Sequence, residues 1–253
     1  MKSNGYFVAV LLFAAAVFHV PHAHAESASN DPWSLARAAY DAGRYDEAYR
    51  QYEQIAGQPG ASAEAQFNAG NAAFRMNDPG RAVLWYRRAE RQSPRDPDIR
   101  SNQERALKMG GAEPVRIPAA DRAFRHMSAA EWSFASVIGC GLACLGLVLW
   151  SAIPVRWTGM ARRTAIMGGL LWLVAFAGMQ SWRRADAPRE AIVIERGVRA
   201  LFAPIPGTTV HFSLPPGSVV RILDQTGEWA KISQASREGW VPTASISKTA
   251  VGD

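Results

Sequence analysis

Hydrophobic residues fall into four regimes along the chain. The first is a run of thirteen residues, Tyr6 to Phe18, which follows Lys2 and precedes Ala23-His24-Ala25. A positive start, a short apolar stretch and a small-x-small end predict a secretory signal peptide over 1–25, cleaved before Glu26. The alternative is an uncleaved signal anchor, for which thirteen apolar residues are short. Under either reading the segment that follows is exported. The second regime, 26–109, places small and aromatic residues at helical spacing, as in Ala48-x-x-x-Tyr52 and Ala82-x-x-x-Tyr86. The third consists of two charge-free runs, Trp132 to Pro154 and Thr164 to Trp182. About 22 helical residues cover roughly 33 Å, so 132–154 and 164–182 are each predicted to be transmembrane helices. From Ala191 to the end the pattern changes to short β-like runs.

The polar residues between the two spans set their orientation. The loop 155–163 carries Arg156, Arg162 and Arg163 with no acid, which marks a cytoplasmic turn. Arginines also flank the outer ends, so the exported N-terminus is what decides the topology. It returns the C-terminal region to the same outer side. Trp132, Trp150, Trp157 and Trp182 lie near the predicted interfaces, as an aromatic belt would. Ser128-Ala-Ala-Glu131 fits a capping box ahead of the first span. Gly139/Ala143 and Ala165/Gly169 supply small residues four apart, suited to close helix approach within the hairpin or with a partner's helix. The only cysteines, Cys140 and Cys144, share one face of the first span and read as packing residues. Linkers are expected at 110–131, with two glycines and two prolines in its first half, and at 183–190.

The region 26–109 repeats itself. A shift of 34 residues pairs Leu35 with Ala69, Ala36 with Gly70, Ala38 with Ala72 and Tyr40 with Phe74. It also pairs Ala48 with Ala82, Tyr52 with Tyr86 and Ile55 with Ala89. This pattern resembles the tetratricopeptide repeat over about 32–95, with Pro94 closing the second unit and a further helix, Asp96 to Met109, covering the end. Pro59 ends the first repeat one residue early, and Trp33 is shifted from the family's usual aromatic position. Two repeats and a capping helix fall short of the three or more that such arrays need, which suggests packing against a partner, self-association or a divergent extra helix. The resemblance implies a groove for a peptide or partner helix, lined here by Arg37, Tyr40, Asp41, Asn68, Asn71, Arg75, Asn102 and Arg105. Asparagines and arginines in a groove can hydrogen-bond an extended backbone or a carboxylate, although each alone equally suits a solvated face.

In 191–253, strands are predicted at Ala191–Glu195, Ser218–Leu223, Glu228–Ser233 and Gly239–Pro242, with turns at Pro215-Pro-Gly217 and Asp224-Gln-Thr-Gly227. About 60 residues with this spacing suggest a compact barrel. The run Pro215 to Leu223, then Gly227-Glu-Trp-Ala-Lys-Ile232, then Arg237-Glu-Gly-Trp-Val241, resembles a bacterial SH3-like domain. The family's usual Arg-Ser-Gly-Pro stretch is replaced by Leu201-Phe-Ala-Pro204. Phe202, Trp229 and Trp240 are candidates for an aromatic ligand shelf, or else complete a small core.

Charge then narrows the function classes. A formal charge of +6 and a pI near 9.7 would suggest nucleic acid. Yet 26–110 holds twelve basic and twelve acidic residues, and 191–253 holds six against five. The excess belongs to 132–190, with six arginines and two acids, so it is a membrane signature and no nucleic-acid partner is expected. Outside the leader only His126 and His211 remain, in separate regions, and no metal-ligand spacing, nucleophile elbow or phosphate-binding motif occurs. The reading is a non-enzyme without cofactor or metal. As a whole it is a multidomain chain of all-α tetratricopeptide repeat, transmembrane α-helical hairpin and all-β SH3-like barrel.

That order of parts resembles the BatE-type membrane proteins of bacterial Bat operons. The resemblance implies an inner-membrane scaffold with both soluble domains in the periplasm. It also implies partnership with von Willebrand-type membrane proteins and a MoxR-type ATPase system, under an aerotolerance label. The alternative is a cell-wall anchor whose SH3-like domain binds peptidoglycan.

Overall fold

A computed structural model describes residues 31–114, 123–152, 158–185 and 189–249. The expected leader 1–25, residues 153–157 and linker residues 115–122 and 186–188 lie outside the described residues, while residues 158–163 of the expected loop 155–163 are helical and open the second long helix.

Five helices form the first part: α1 (Pro32–Asp41), α2 (Tyr45–Ala56), α3 (Ala63–Arg75), α4 (Pro79–Gln92) and α5 (Pro97–Gly110). Their limits follow from local chemistry. Ser62, Asp78 and Asp96 accept backbone N–H bonds at the starts of α3, α4 and α5, and prolines occupy the first turns of α1, α4 and α5. Gly111 closes α5 in the left-handed region at φ 73°. Fully buried alanines at 36, 39, 48, 69, 72, 82 and 89 let the helices approach closely.

The aromatic filling repeats at the same 34-residue interval. Trp33 meets Tyr52 edge-on with ring centroids 5.6 Å apart, and Phe67 meets Tyr86 at 5.8 Å. Trp33 therefore has a counterpart in Phe67, a pairing the sequence comparison did not draw. Gly70 stands where the first repeat has Ala36, because a Cβ there would lie 2.7 Å from the Tyr86 ring.

Two long helices follow, α6 (Ala129–Ala152) and α7 (Thr158–Ala185). Both are long and apolar enough to cross a membrane, with mean hydropathy of 2.0 and 1.4 over their most apolar windows. They run antiparallel, so residues 129 and 185 lie at the same end. Backbones touch at Gly139, Gly146 and Gly168: an added Cβ on Gly139 would meet the Trp172 nitrogen at 2.7 Å. The α7 side of this seam is Ala161, Ala165, Gly168 and Trp172. Gly169, expected in the seam, has nothing within 4 Å of its would-be Cβ, because one residue of helical rotation turns it away. The anticipated capping box is present: Ser128 N donates to Glu131 Oε2 at 2.8 Å, and Glu131 N donates to Ser128 Oγ at 3.2 Å. The indoles of Trp132 and Trp182 donate to the Phe124 and Met127 carbonyls, fastening the segment 123–128 over that end of the hairpin.

The last part is a seven-stranded, wholly antiparallel sheet: β1 (Glu190–Val193), β2 (Val198–Leu201), β3 (Val210–Leu214), β4 (Val219–Thr226), β5 (Trp229–Gln234), β6 (Arg237–Pro242) and β7 (Ile246–Lys248). Its order is β3-β2-β6-β5-β4-β1-β7. Strands β2, β3 and β7 were not anticipated from the sequence. Alternate residues such as Val193, Val220, Ile222, Ala230, Ile232 and Val241 fill one core.

The helical array and the sheet are docked together. Ile192 is fully buried in the same apolar cluster as Val83 and Leu107, joined by Ile194 and Val219. Two helix glycines permit this contact: a Cβ on Gly80 would clash with the Ile194 backbone, and one on Gly110 with the Pro216 carbonyl. Gly217, at φ +90°, presses against Val83 and Leu107. Around this patch Arg87 and Arg91 meet Glu190 at 3.3 and 3.4 Å, and Arg91 donates to Thr249 Oγ1 at 2.7 Å. Arg88 donates to the Lys248 carbonyl at 2.8 Å, covering the β7 edge, and Arg196 donates to the Asn77 carbonyl at 2.6 Å.

Replacing Gly80 with Val should destabilise the folded chain by about 2 kcal/mol through this overpacked contact. Denaturant unfolding of the purified protein, followed by tryptophan fluorescence, checks this; an unchanged midpoint would argue against the docking.

Candidate interaction surfaces

The residues expected to line a groove fall on three helices. Arg37, Tyr40 and Asp41 lie on α1, Asn68, Asn71 and Arg75 on α3, and Asn102 and Arg105 on α5. Spacings of three, four and seven give each set one helical face. The structure joins several of them. Asn102 Nδ2 donates to Asn71 Oδ1 at 3.1 Å, linking α5 to α3, and the Tyr86 hydroxyl donates to the same oxygen at 2.8 Å. Arg105 donates to Asn102 Oδ1 at 3.3 Å. Burial, followed by the nearby Tyr40 hydroxyl, pushes the Tyr86 pKa upward, so this phenol stays a donor.

Asn71 and Asn102 therefore hold the array together as well as facing its surface. Arg75 donates to the Tyr45 hydroxyl and stacks 4.6 Å from the Tyr45 ring centroid, with Tyr40 edge-on to Tyr45 at 5.3 Å. Arg37 and Asp41 form only an exposed pair at 3.9 Å, and Asn68 makes no hydrogen bond among the described residues. Tyr45 belongs to this surface and was missed, because it lies at the first turn of α2, where an aromatic gives no periodic signal. Tyr86, which the 34-residue repeat marked as core, is buried beneath the surface and supports Asn71 from within. The surface thus offers three arginines, two tyrosine hydroxyls and three amides against one carboxylate. It can bind a peptide backbone and an anionic group by hydrogen bonding; it holds no nucleophile-base pair.

The aromatic candidates of the sheet are less united. Trp229 pairs with Pro242 and Trp240 with Lys231 across β5 and β6, so both tryptophans project from the same side of the sheet, away from its core. Leu201 pairs with Trp240 and carries the chain toward Phe202. Phe202, however, stacks on His211 with ring centroids 4.3 Å apart and is 59% exposed. With Ile205 and Val210, also exposed, it forms an apolar tip on the β2–β3 connection. Both tryptophans are half-buried, and neither makes a ring contact with Phe202 among the described residues.

No cluster of three or more metal-ligating side chains occurs among the described residues. Cys140 and Cys144 are exposed on α6.

Comparison with known proteins bears on the helical part. The tetratricopeptide repeat family model matches residues 34–97, which covers most of α1 through α4. No curated protein and no solved structure matches the chain. The family match points to protein–protein interaction as the role of this region.

Asn71 and Asn68 separate the two duties of the surface. Asn71→Ala leaves the buried Tyr86 hydroxyl without its acceptor and should cost roughly 1–3 kcal/mol of stability. Asn68→Ala should stay within about 0.5 kcal/mol. Paired thermal or denaturant unfolding curves check the contrast, and equal shifts would refute it.

Proposed function

We propose that this chain is a non-enzymatic scaffold of the bacterial inner membrane, presenting a tetratricopeptide surface and an SH3-like domain together in the periplasm. The observation that carries the reading is the arrangement of the three parts. The interaction array is docked to the sheet through Ile192 and Gly80, and tied to the start of α6 by the Arg95–Glu131 ion pair. A peptide-binding surface held so near one end of an apolar hairpin suits capture of another membrane protein close to the bilayer. The cationic character of Arg37, Arg75 and Arg105 favours a partner segment that is extended and carries an acidic or C-terminal carboxylate.

On this reading, 1–25 acts as an export signal, 155–163 faces the cytoplasm, and 26–131 and 183–253 lie outside it. The order of parts supports a place among BatE-type proteins, beside von Willebrand-type membrane proteins and a MoxR-type ATPase system. A second reading has one observation in its favour, the exposed Phe202 ring stacked on His211 at the β2–β3 connection. Under it, the sheet domain binds peptidoglycan and the protein is a cell-wall anchor.

Affinity capture of the full chain in mild detergent tests the scaffold. It should co-purify other membrane proteins, and the double variant Arg75→Glu/Arg105→Glu should recover about tenfold less of them. Undiminished recovery would reject the groove as the contact. Sedimentation with purified peptidoglycan, lost in Phe202→Ala, together with no captured protein, would establish the anchor instead.

A further inference from the structure

Two hollows meet at the base of the helical array. The upper one, about 480 Å³, lies between the α4–α5 turn and the start of α6; Ser93, Arg95, Asp96, Ser128 and Glu131 line it. The lower one, about 450 Å³, runs down α6 along Met127, Ala130, Phe134 and Ile138 and is almost wholly apolar. Glu131 borders both, so they form one crevice that is polar above and greasy below. Residues 134 and 138 share one helical face with Glu131, directed along the apolar helix toward its middle, and Met127 precedes the helix at its upper end.

The polar part is built. Arg95 pairs with Glu131 and donates to the His126 carbonyl at 3.4 Å, and Asp96 Oδ1 accepts from the Asp98 and Ile99 amides. Its ionised lining is one guanidinium and two carboxylates, net negative by one. An anionic headgroup is disfavoured by that balance. A zwitterion fits it, its phosphate on Arg95 and its ammonium between Asp96 and Glu131. A primary ammonium has three N–H donors for those carboxylates, whereas a quaternary one has none. The apolar hollow below takes an acyl chain, and the two volumes suit a headgroup and the upper part of one chain.

We propose that this crevice binds one phosphatidylethanolamine molecule, headgroup over the intact Arg95–Glu131 pair and Asp96, acyl chain along Met127, Phe134 and Ile138. The lipid then serves as a wedge that fixes the height of the array over the bilayer. The site rests on the membrane reading given above.

The full chain, reconstituted in bilayers of equal phosphatidylethanolamine, phosphatidylglycerol and phosphatidylcholine, is re-extracted in mild detergent and its retained lipid identified by native mass spectrometry. One phosphatidylethanolamine per chain is expected, favoured over either other lipid by roughly fivefold. Ala130→Trp, which fills the apolar hollow, should cut that retention by a similar factor. Asp96→Asn keeps the helix cap but neutralises the lining, and should bring phosphatidylglycerol up toward parity. Lipid carried in proportion to the bilayer, or retention untouched by Ala130→Trp, would overturn the proposal alone. A chain that washes off the bilayer in alkaline carbonate would overturn the membrane reading and the lipid site together.

Discussion

Ile192, Val219 and the Pro216-Gly217 turn lie on Val83 and Leu107, and much of the architecture depends on that contact. An array of two repeats and one extra helix ends on an apolar face. A third repeat would cover that face with its second helix, packed against α4 and α5. Here β1 and the turn before β4 take that place. The contact is close because both sides are trimmed: Gly80 and Gly110 expose helix backbone, and Gly217 adopts a φ of +90° that brings its turn down onto the side chains. Arginines 87, 88 and 91 ring the patch and bond to Glu190, Lys248 and Thr249. Burial, with Arg91 beside it, pulls the Arg88 pKa below its ordinary value, while its guanidinium rests 4.5 Å from the Trp85 ring centroid. Because β7 is an edge strand, the same arginine also blunts a site of unwanted strand pairing.

The hairpin joins this unit through its own end. Trp132 and Trp182 reach over to the carbonyls of 124 and 127, Arg125 lies over Trp182, and Arg95 reaches Glu131. Gly178 leaves the room that the Trp132 ring occupies on α7. These links connect the array to both long helices.

Much of this was legible in the sequence where a signal repeats or a local rule is strict. Tyr52 and Tyr86, 34 apart, marked the two repeats; Ser128 and Glu131 marked the start of α6; uncharged runs marked both long helices. What escaped was long-range. Arg87 and Arg91 look like residues of a solvated helix face until Glu190, about a hundred positions later, is placed beside them. Gly80, next to Pro79, reads as a helix start, and only the packed Ile194 backbone explains it. Strands β2 and β3 were lost because Pro204, Pro206 and Gly207 break the pattern between them. Of the residues expected to line a groove, Arg75 and Arg105 are exposed, while Asn71 and Asn102 bond to each other, which no single-helix pattern reveals.

On this reading the sheet completes the helical array. Hydrogen exchange on α4 and α5, in the full chain and in one ending at residue 185, addresses it most directly. Strong protection of residues 83–91 and 103–110 is expected in the full chain, falling by at least tenfold when the sheet is removed. Equal protection in both chains would mean that the array is stable on its own and that the docking carries none of its stability.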